Sequence, residues 1–146
     1  MRNQPLNALL VVLAVGGGIL AYHPKADAQP GRSDFRVKAT ATATKPDAHG
    51  KQSVTIALDI EKGFYLYANP VNNEFLEADE LAVRVTAKEK VKSDVKYPAG
   101  KTAGTKTIRF DIYEGIVKVE AQVVRTNGDV SPLTIHVAIK GSDGRI

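Results

Sequence analysis

Val54-Thr55-Ile56-Ala57-Leu58-Asp59-Ile60-Glu61-Lys62-Gly63-Phe64-Tyr65-Leu66-Tyr67 decides the fold. Val54, Ile56, Leu58 and Ile60 are apolar, and the residues between them are polar or small. A strand sends successive side chains to opposite faces, so this period of two marks a half-buried strand. Glu61-Lys62-Gly63 turns the chain, and Phe64–Tyr67 starts the next strand.

The same period runs outward in both directions. Upstream, Phe35, Val37, Ala39, Ala41 and Ala43 alternate with Arg36, Lys38, Thr40, Thr42 and Thr44, and Lys45–Gly50 makes a turn. Downstream, Leu81–Ala87, Val91–Tyr97, Ile108–Ile112, Val117–Val123 and Leu133–Ile139 repeat the pattern. Lys101–Lys106, rich in Gly, Thr and Lys, reads as a flexible loop, and Asn127-Gly128 carries the signal for a tight hairpin. No segment sustains a helical period; Asn73–Leu81 has room for one helical turn. About seven or eight short strands, with turn signals roughly every ten residues, predict an all-β, immunoglobulin-like antiparallel sandwich.

The N-terminus follows different rules. Met1-Arg2-Asn3-Gln4 is short and basic, Leu6–Ala21 is nearly all apolar, and Ala26-Asp27-Ala28 is a small-x-small site. That is the pattern of a secretory signal peptide, residues 1–28, cut after Ala28 and left out of the fold. The rival is an uncleaved anchor, but the run is short of the roughly 20 residues a spanning helix wants, and Gly16-Gly17-Gly18 weakens a helix. A flexible lead-in over residues 29–34 then precedes the sandwich domain, residues 35–146. The expected location is periplasmic or secreted, with membrane attachment only if the leader stays.

Composition excludes several functions. The 146 residues carry a formal net charge of +4, no Trp and no Cys. The lysines are scattered rather than striped and no Trp is available to stack on bases, so no nucleic-acid partner is expected. A disulfide can be exchanged only by a thiolate, so thiol catalysis and thiolate metal sites are absent from these residues. Stability must come from packing.

From Lys62-Gly63-Phe64-Tyr65-Leu66-Tyr67 onward the chain resembles the N-terminal periplasmic domain of the thiol:disulfide interchange protein DsbD. Tyr97-Pro98-Ala99-Gly100, Asp111-Ile112-Tyr113-Glu114-Gly115-Ile116-Val117 and Ile135–Lys140 match further family features in order, so the resemblance spans about Phe35 to Ile146. It implies an immunoglobulin-like sandwich that passes electrons to periplasmic disulfide isomerases through one cysteine pair. It also implies that Tyr65 and Tyr67 stand beside the active thiols, and that Ser142 takes the place of the first cysteine. The family's cysteines are capped by a loop aromatic; the matching stretch, about Ala99–Thr107, contains none. Serine forms no disulfide, so what the resemblance implies about redox chemistry is not met by these residues.

The candidate recognition face is therefore Tyr65, Tyr67, Asn69, Ser142 and Asp143, with no catalytic residue assigned. Phe64 and Leu66, alternating with the tyrosines, are expected in the core. His49 and His136 lack partners at ligand spacing, and Glu74, Glu77, Asp79 and Glu80 match no calcium loop, so no metal or cofactor is expected. Ser142-Asp143 has no histidine at a spacing that would suit a hydrolase.

The function expected is a secreted or periplasmic interaction module that binds a periplasmic or envelope protein. The alternative is an electron-transfer module whose redox hairpin is incomplete in this sequence. A purely structural envelope protein held by the uncleaved leader is a third possibility. If the family's closing strand is missing, the Leu133–Ile139 strand borders an unpaired edge, which permits an edge-strand dimer.

Overall fold

The computed structural model describes residues 9–13, 36–126 and 128–143. Among these residues eleven strands follow one another: β1 Leu9–Leu13, β2 Val37–Ala43, β3 Lys51–Ile60, β4 Phe64–Tyr67, β5 Ala82–Thr86, β6 Lys92–Lys96, β7 Lys101–Gly104, β8 Arg109–Tyr113, β9 Ile116–Val124, β10 Leu133–Ala138 and β11 Gly141–Asp143. A single 3-10 turn, Glu77–Asp79, lies in the stretch expected to hold one turn of helix.

The strands form three antiparallel sheets, ordered β2-β3-β9-β6, β1-β10-β5 and β11-β4-β8-β7. Their inner faces meet in one core and make an immunoglobulin-like sandwich. Ala39, Ile56, Leu58, Val119 and Ala121 come from the first sheet, Val83, Leu133 and Ile135 from the second, and Leu66 and Tyr113 from the third. The alternating pattern explains this: β9 reads exposed-buried along its whole length, with Val117, Val119, Ala121 and Val123 inward. Each large aliphatic side chain fully buried in this way is worth about 1.5–3 kcal/mol.

Two expectations are corrected by long-range pairing. Lys101–Gly104 is not a loop but strand β7, paired antiparallel with β8 from Lys101↔Ile112 to Gly104↔Arg109. Gly104 makes the hairpin possible: its φ is +99°, and a Cβ there would run into the carbonyl of Ile108. The Asn-Gly signal does not close a hairpin either. Asn127 lies outside the described residues, and the strands on either side of it, β9 and β10, belong to different sheets. The chain crosses between sheets in an arch held from inside by Arg125. This buried side chain donates from Nε to Gln52 Oε1 at 2.8 Å and from Nη2 to the Ser131 carbonyl at 2.6 Å, and it pairs with Asp129 at 3.4 Å.

The expected open edge of Leu133–Ile139 is also occupied. β10 pairs with β5 on one side and with β1 on the other, in the register Leu9↔Val137, Val11↔Ile135 and Leu13↔Leu133. Residues 9–13 of the apolar leader are thus a strand rather than part of an anchor helix, and they lie in the fold from which a signal peptide was expected to be excluded. The rest of the signal-peptide and lead-in assignments falls outside the described residues.

Candidate functional site

β4 places two opposite sets of side chains. Leu66 points into the core and is fully buried; it pairs with Tyr113 of β8 across the sheet. Phe64 stands at the rim, half-buried against the core, with the Arg36 guanidinium 4.9 Å above its ring centroid. Arg36 is itself held by Glu61 at 2.9 Å.

Tyr65 and Tyr67 occupy the other face of the same sheet, where Phe110 of β8 joins them. Ring centroids are 5.7 Å apart for Tyr65–Tyr67, 6.2 Å for Tyr65–Phe110 and 5.7 Å for Tyr67–Phe110. Two of the three pairs are edge-to-face, the arrangement the ring quadrupoles favour. Tyr65 is only 6% exposed, whereas Tyr67 and Phe110 are half-buried. Burial, and next the neighbouring Tyr65, push the Tyr67 phenol up to about 12. It therefore stays protonated and remains a hydrogen-bond donor at any physiological pH.

Phe110 is the residue that the sequence reading missed. The stretch matching the family's capping loop is about Ala99–Thr107, and Phe110 lies just past it. It was already visible as an alternating strand residue, but only the pairing of β8 with β4 sets it beside the tyrosines. At the polar hairpin tip, Gly104-Thr105-Lys106-Thr107, Ile108 is 60% exposed.

The loop after β4 is tied down by polar contacts. Asn69 donates from Nδ2 to the Leu81 carbonyl at 2.9 Å, and its backbone N–H donates to the Tyr113 hydroxyl at 3.2 Å. That hydroxyl donates in turn to the Pro98 carbonyl at 2.7 Å. Burial raises the Tyr113 pKa. Asn69 thus positions the loop, and its side-chain amide is spent on the backbone. Asn73 Nδ2 donates to the Arg109 carbonyl at 2.9 Å, which moors the loop bearing the exposed Phe75 to the turn end of the β7–β8 hairpin.

β11 runs antiparallel to β4, so that Ser142 is the register partner of Tyr65 and Asp143 that of Phe64. The sequence-chosen residues Tyr65, Tyr67 and Ser142 therefore converge on one patch of sheet. Only glycine fits at position 141, where a Cβ would collide with the Tyr65 carbonyl. Lys140 leads into β11, accepts the Tyr67 backbone N–H at 3.0 Å and forms an ion pair with Asp79. Glu80 accepts the Val71 N–H at 2.8 Å, so these two of the four clustered acids have local structural partners. Among the described residues no group of three or more histidines, aspartates or glutamates is placed to hold a metal ion. His136 shares a 3.2 Å hydrogen bond with Thr86.

An open groove beside Ile112 is lined by Pro98, Ala99, Tyr113 and Ile116 together with the charged Lys101, Glu114 and Lys118. Ile116 is 71% exposed there. No helix among the described residues is long and apolar enough to cross a membrane.

Residues 28–141 match the family model described as thiol:disulfide interchange protein DsbD, N-terminal. No curated protein and no solved structure matches the chain.

Proposed function

Since the chain belongs to the family of DsbD N-terminal domains, we propose that it acts as a periplasmic protein-interaction module that has kept the family's recognition face without its thiols. The observation that carries this reading is the three-ring cluster of Tyr65, Tyr67 and Phe110 beside the register position of Ser142, in a sequence with no cysteine. Two exposed apolar residues, Ile108 and Phe75, widen this surface. The partner is a periplasmic or envelope protein that buries the half-exposed rings of Tyr67 and Phe110. Export through a leader cut after Ala28 delivers the module to that compartment.

The test is retention of envelope proteins on the immobilised protein, compared with a Tyr65→Ala/Tyr67→Ala variant and with Phe110→Ala. Loss of a defined partner from both variants supports the reading. An identical set of retained proteins in equal amounts removes it.

A second reading is favoured by one feature, the pairing of β11 with β4, which sets Ser142 opposite Tyr65. In the resemblance this is the first cysteine's place, so the fold would suit a thiol hairpin continuing from β11. The intact mass of the native protein, with and without a thiol-alkylating reagent, separates the two. A species that gains alkyl groups after reduction puts electron transfer first, and a mass unmoved by alkylation leaves the interaction module.

A further inference from the structure

β10 is the central strand of its sheet, between β5 and β1, and without β1 it would be an edge unlike the charged edge strands among the described residues. β2 carries Lys38, β5 carries Arg84, β6 carries Lys92, Asp94 and Lys96, β7 carries Lys101, and β11 carries Asp143. Charges of this kind keep an exposed edge from pairing with another chain. β10, Leu133-Thr134-Ile135-His136-Val137-Ala138, has no charged residue, and its edge is covered by the equally uncharged β1. β1 also lies against β2 and so closes the sandwich between two sheets. The edge is therefore built to hold a strand, and the strand it holds comes from the leader.

We infer that the β10 edge is a strand-acceptor site, closed in cis by Leu9–Leu13 in the precursor and taken by β10 of a second copy once the leader is removed. This rests on the leader cleavage put forward above, and not on the aromatic face. The choice of a second copy follows from register. β1 sets Leu9, Val11 and Leu13 opposite Val137, Ile135 and Leu133. A second β10 turned about a two-fold axis through Ile135 sets Leu133 opposite Val137, Ile135 opposite its own copy, and Thr134 opposite His136. The apolar positions coincide with those of β1, so the parity that keeps the core face inward is preserved; a slip of one residue would turn every side chain over. A two-fold interface of this kind closes on itself and does not propagate into fibres.

The experiment uses the full chain with a specific protease site placed after Ala28, with mass in solution read by sedimentation velocity before and after cutting. One copy before and two copies after, with the leader peptide released, is the expected result. T134K, alone and with H136K, sets a positive charge at the paired positions and is expected to hold the cut chain at one copy, with circular dichroism and melting temperature as folding controls. A cut chain that stays at one copy up to its solubility limit overturns the proposal. So does an uncut chain that is already two copies, or a folded T134K chain that pairs as well as the wild type. The mass of the native protein reads the leader separately: a native chain that retains residues 1–28 sinks the cleavage, while the cut chain still judges the acceptor edge.

Discussion

Arg125 Nε donates a 2.8 Å hydrogen bond to Gln52 Oε1, and both side chains are almost wholly buried. Gln52 passes the contact on by donating from Nε2 to the Thr44 carbonyl at 2.8 Å. This links the β9–β10 arch to the β2–β3 turn, across a sequence separation that no local signal spans. Arg125→Ala would leave the Gln52 oxygen and the Ser131 carbonyl without their donor inside the protein. We expect a loss of about 3 kcal/mol, the magnitude for removing one partner of a buried charged network. Urea unfolding checks it: the midpoint should fall while the slope stays constant.

Asp129 accepts the Ser131 backbone N–H at 2.8 Å, and this bond, ahead of the Arg125 charge, holds its carboxyl below the usual range. Asp47 is lowered in the same way by the N–H groups of Lys51 and His49. A depressed folded pKa stabilises the fold above the unfolded value of 3.8 and is lost as pH falls through the folded one. Stability should therefore decline below about pH 4, and Asp129→Asn with Asp47→Asn should flatten that decline. Melting temperature against pH tests this; an unchanged acid limb in the double variant would refute it.

Tyr67 predicts the opposite limb. Its folded pKa of about 12 lies above the ordinary value of 10.0, so its contribution is whole below pH 10 and vanishes as pH rises through about 12. Tyrosinate absorbance should show late-titrating phenols, Tyr67 and Tyr113 among them, and Tyr67→Phe should remove one of them. Phe110→Ala should bring the Tyr67 phenol forward by letting water reach the ring.

Gly141→Ala tests whether β11 belongs to the fold. The added methyl meets the Tyr65 carbonyl, so β11 should lift from β4 at a cost of about 1–2 kcal/mol. Amide exchange should quicken at Tyr67, whose N–H is held by the Lys140 carbonyl, and remain slow at Ile56 in the core. Equal protection in both proteins would mean that β11 contributes nothing to this edge.

Alternation is a local property, and it carried most of the secondary structure. Val54–Ile60 and Val117–Val123 lie in strands with Ile56, Leu58, Val119 and Ala121 inward, because a strand's two faces follow directly from residue parity. The pairing of Tyr65 with Tyr67 was readable for the same reason. Phe110 was readable as a strand residue but not as their neighbour. Contact between β4 and β8, which sets Phe110 beside the tyrosines, joins residues more than forty positions apart, so no local pattern reports it. Asn127-Gly128 misled for a related reason: a turn signal reports what the backbone can do locally, whereas the buried Arg125 decides that the chain crosses to another sheet.

From residue order alone came the all-β class, most of the strands, their inward faces and the lack of cysteine in these residues, since each depends on side-chain identity or on spacing of two. Tertiary structure alone decided which edges are closed, that Ser142 stands opposite Tyr65, and that Leu9–Leu13 covers β10. Those facts arise from pairing between distant strands, and strand pairing is set by the burial of whole faces rather than by any one segment's sequence.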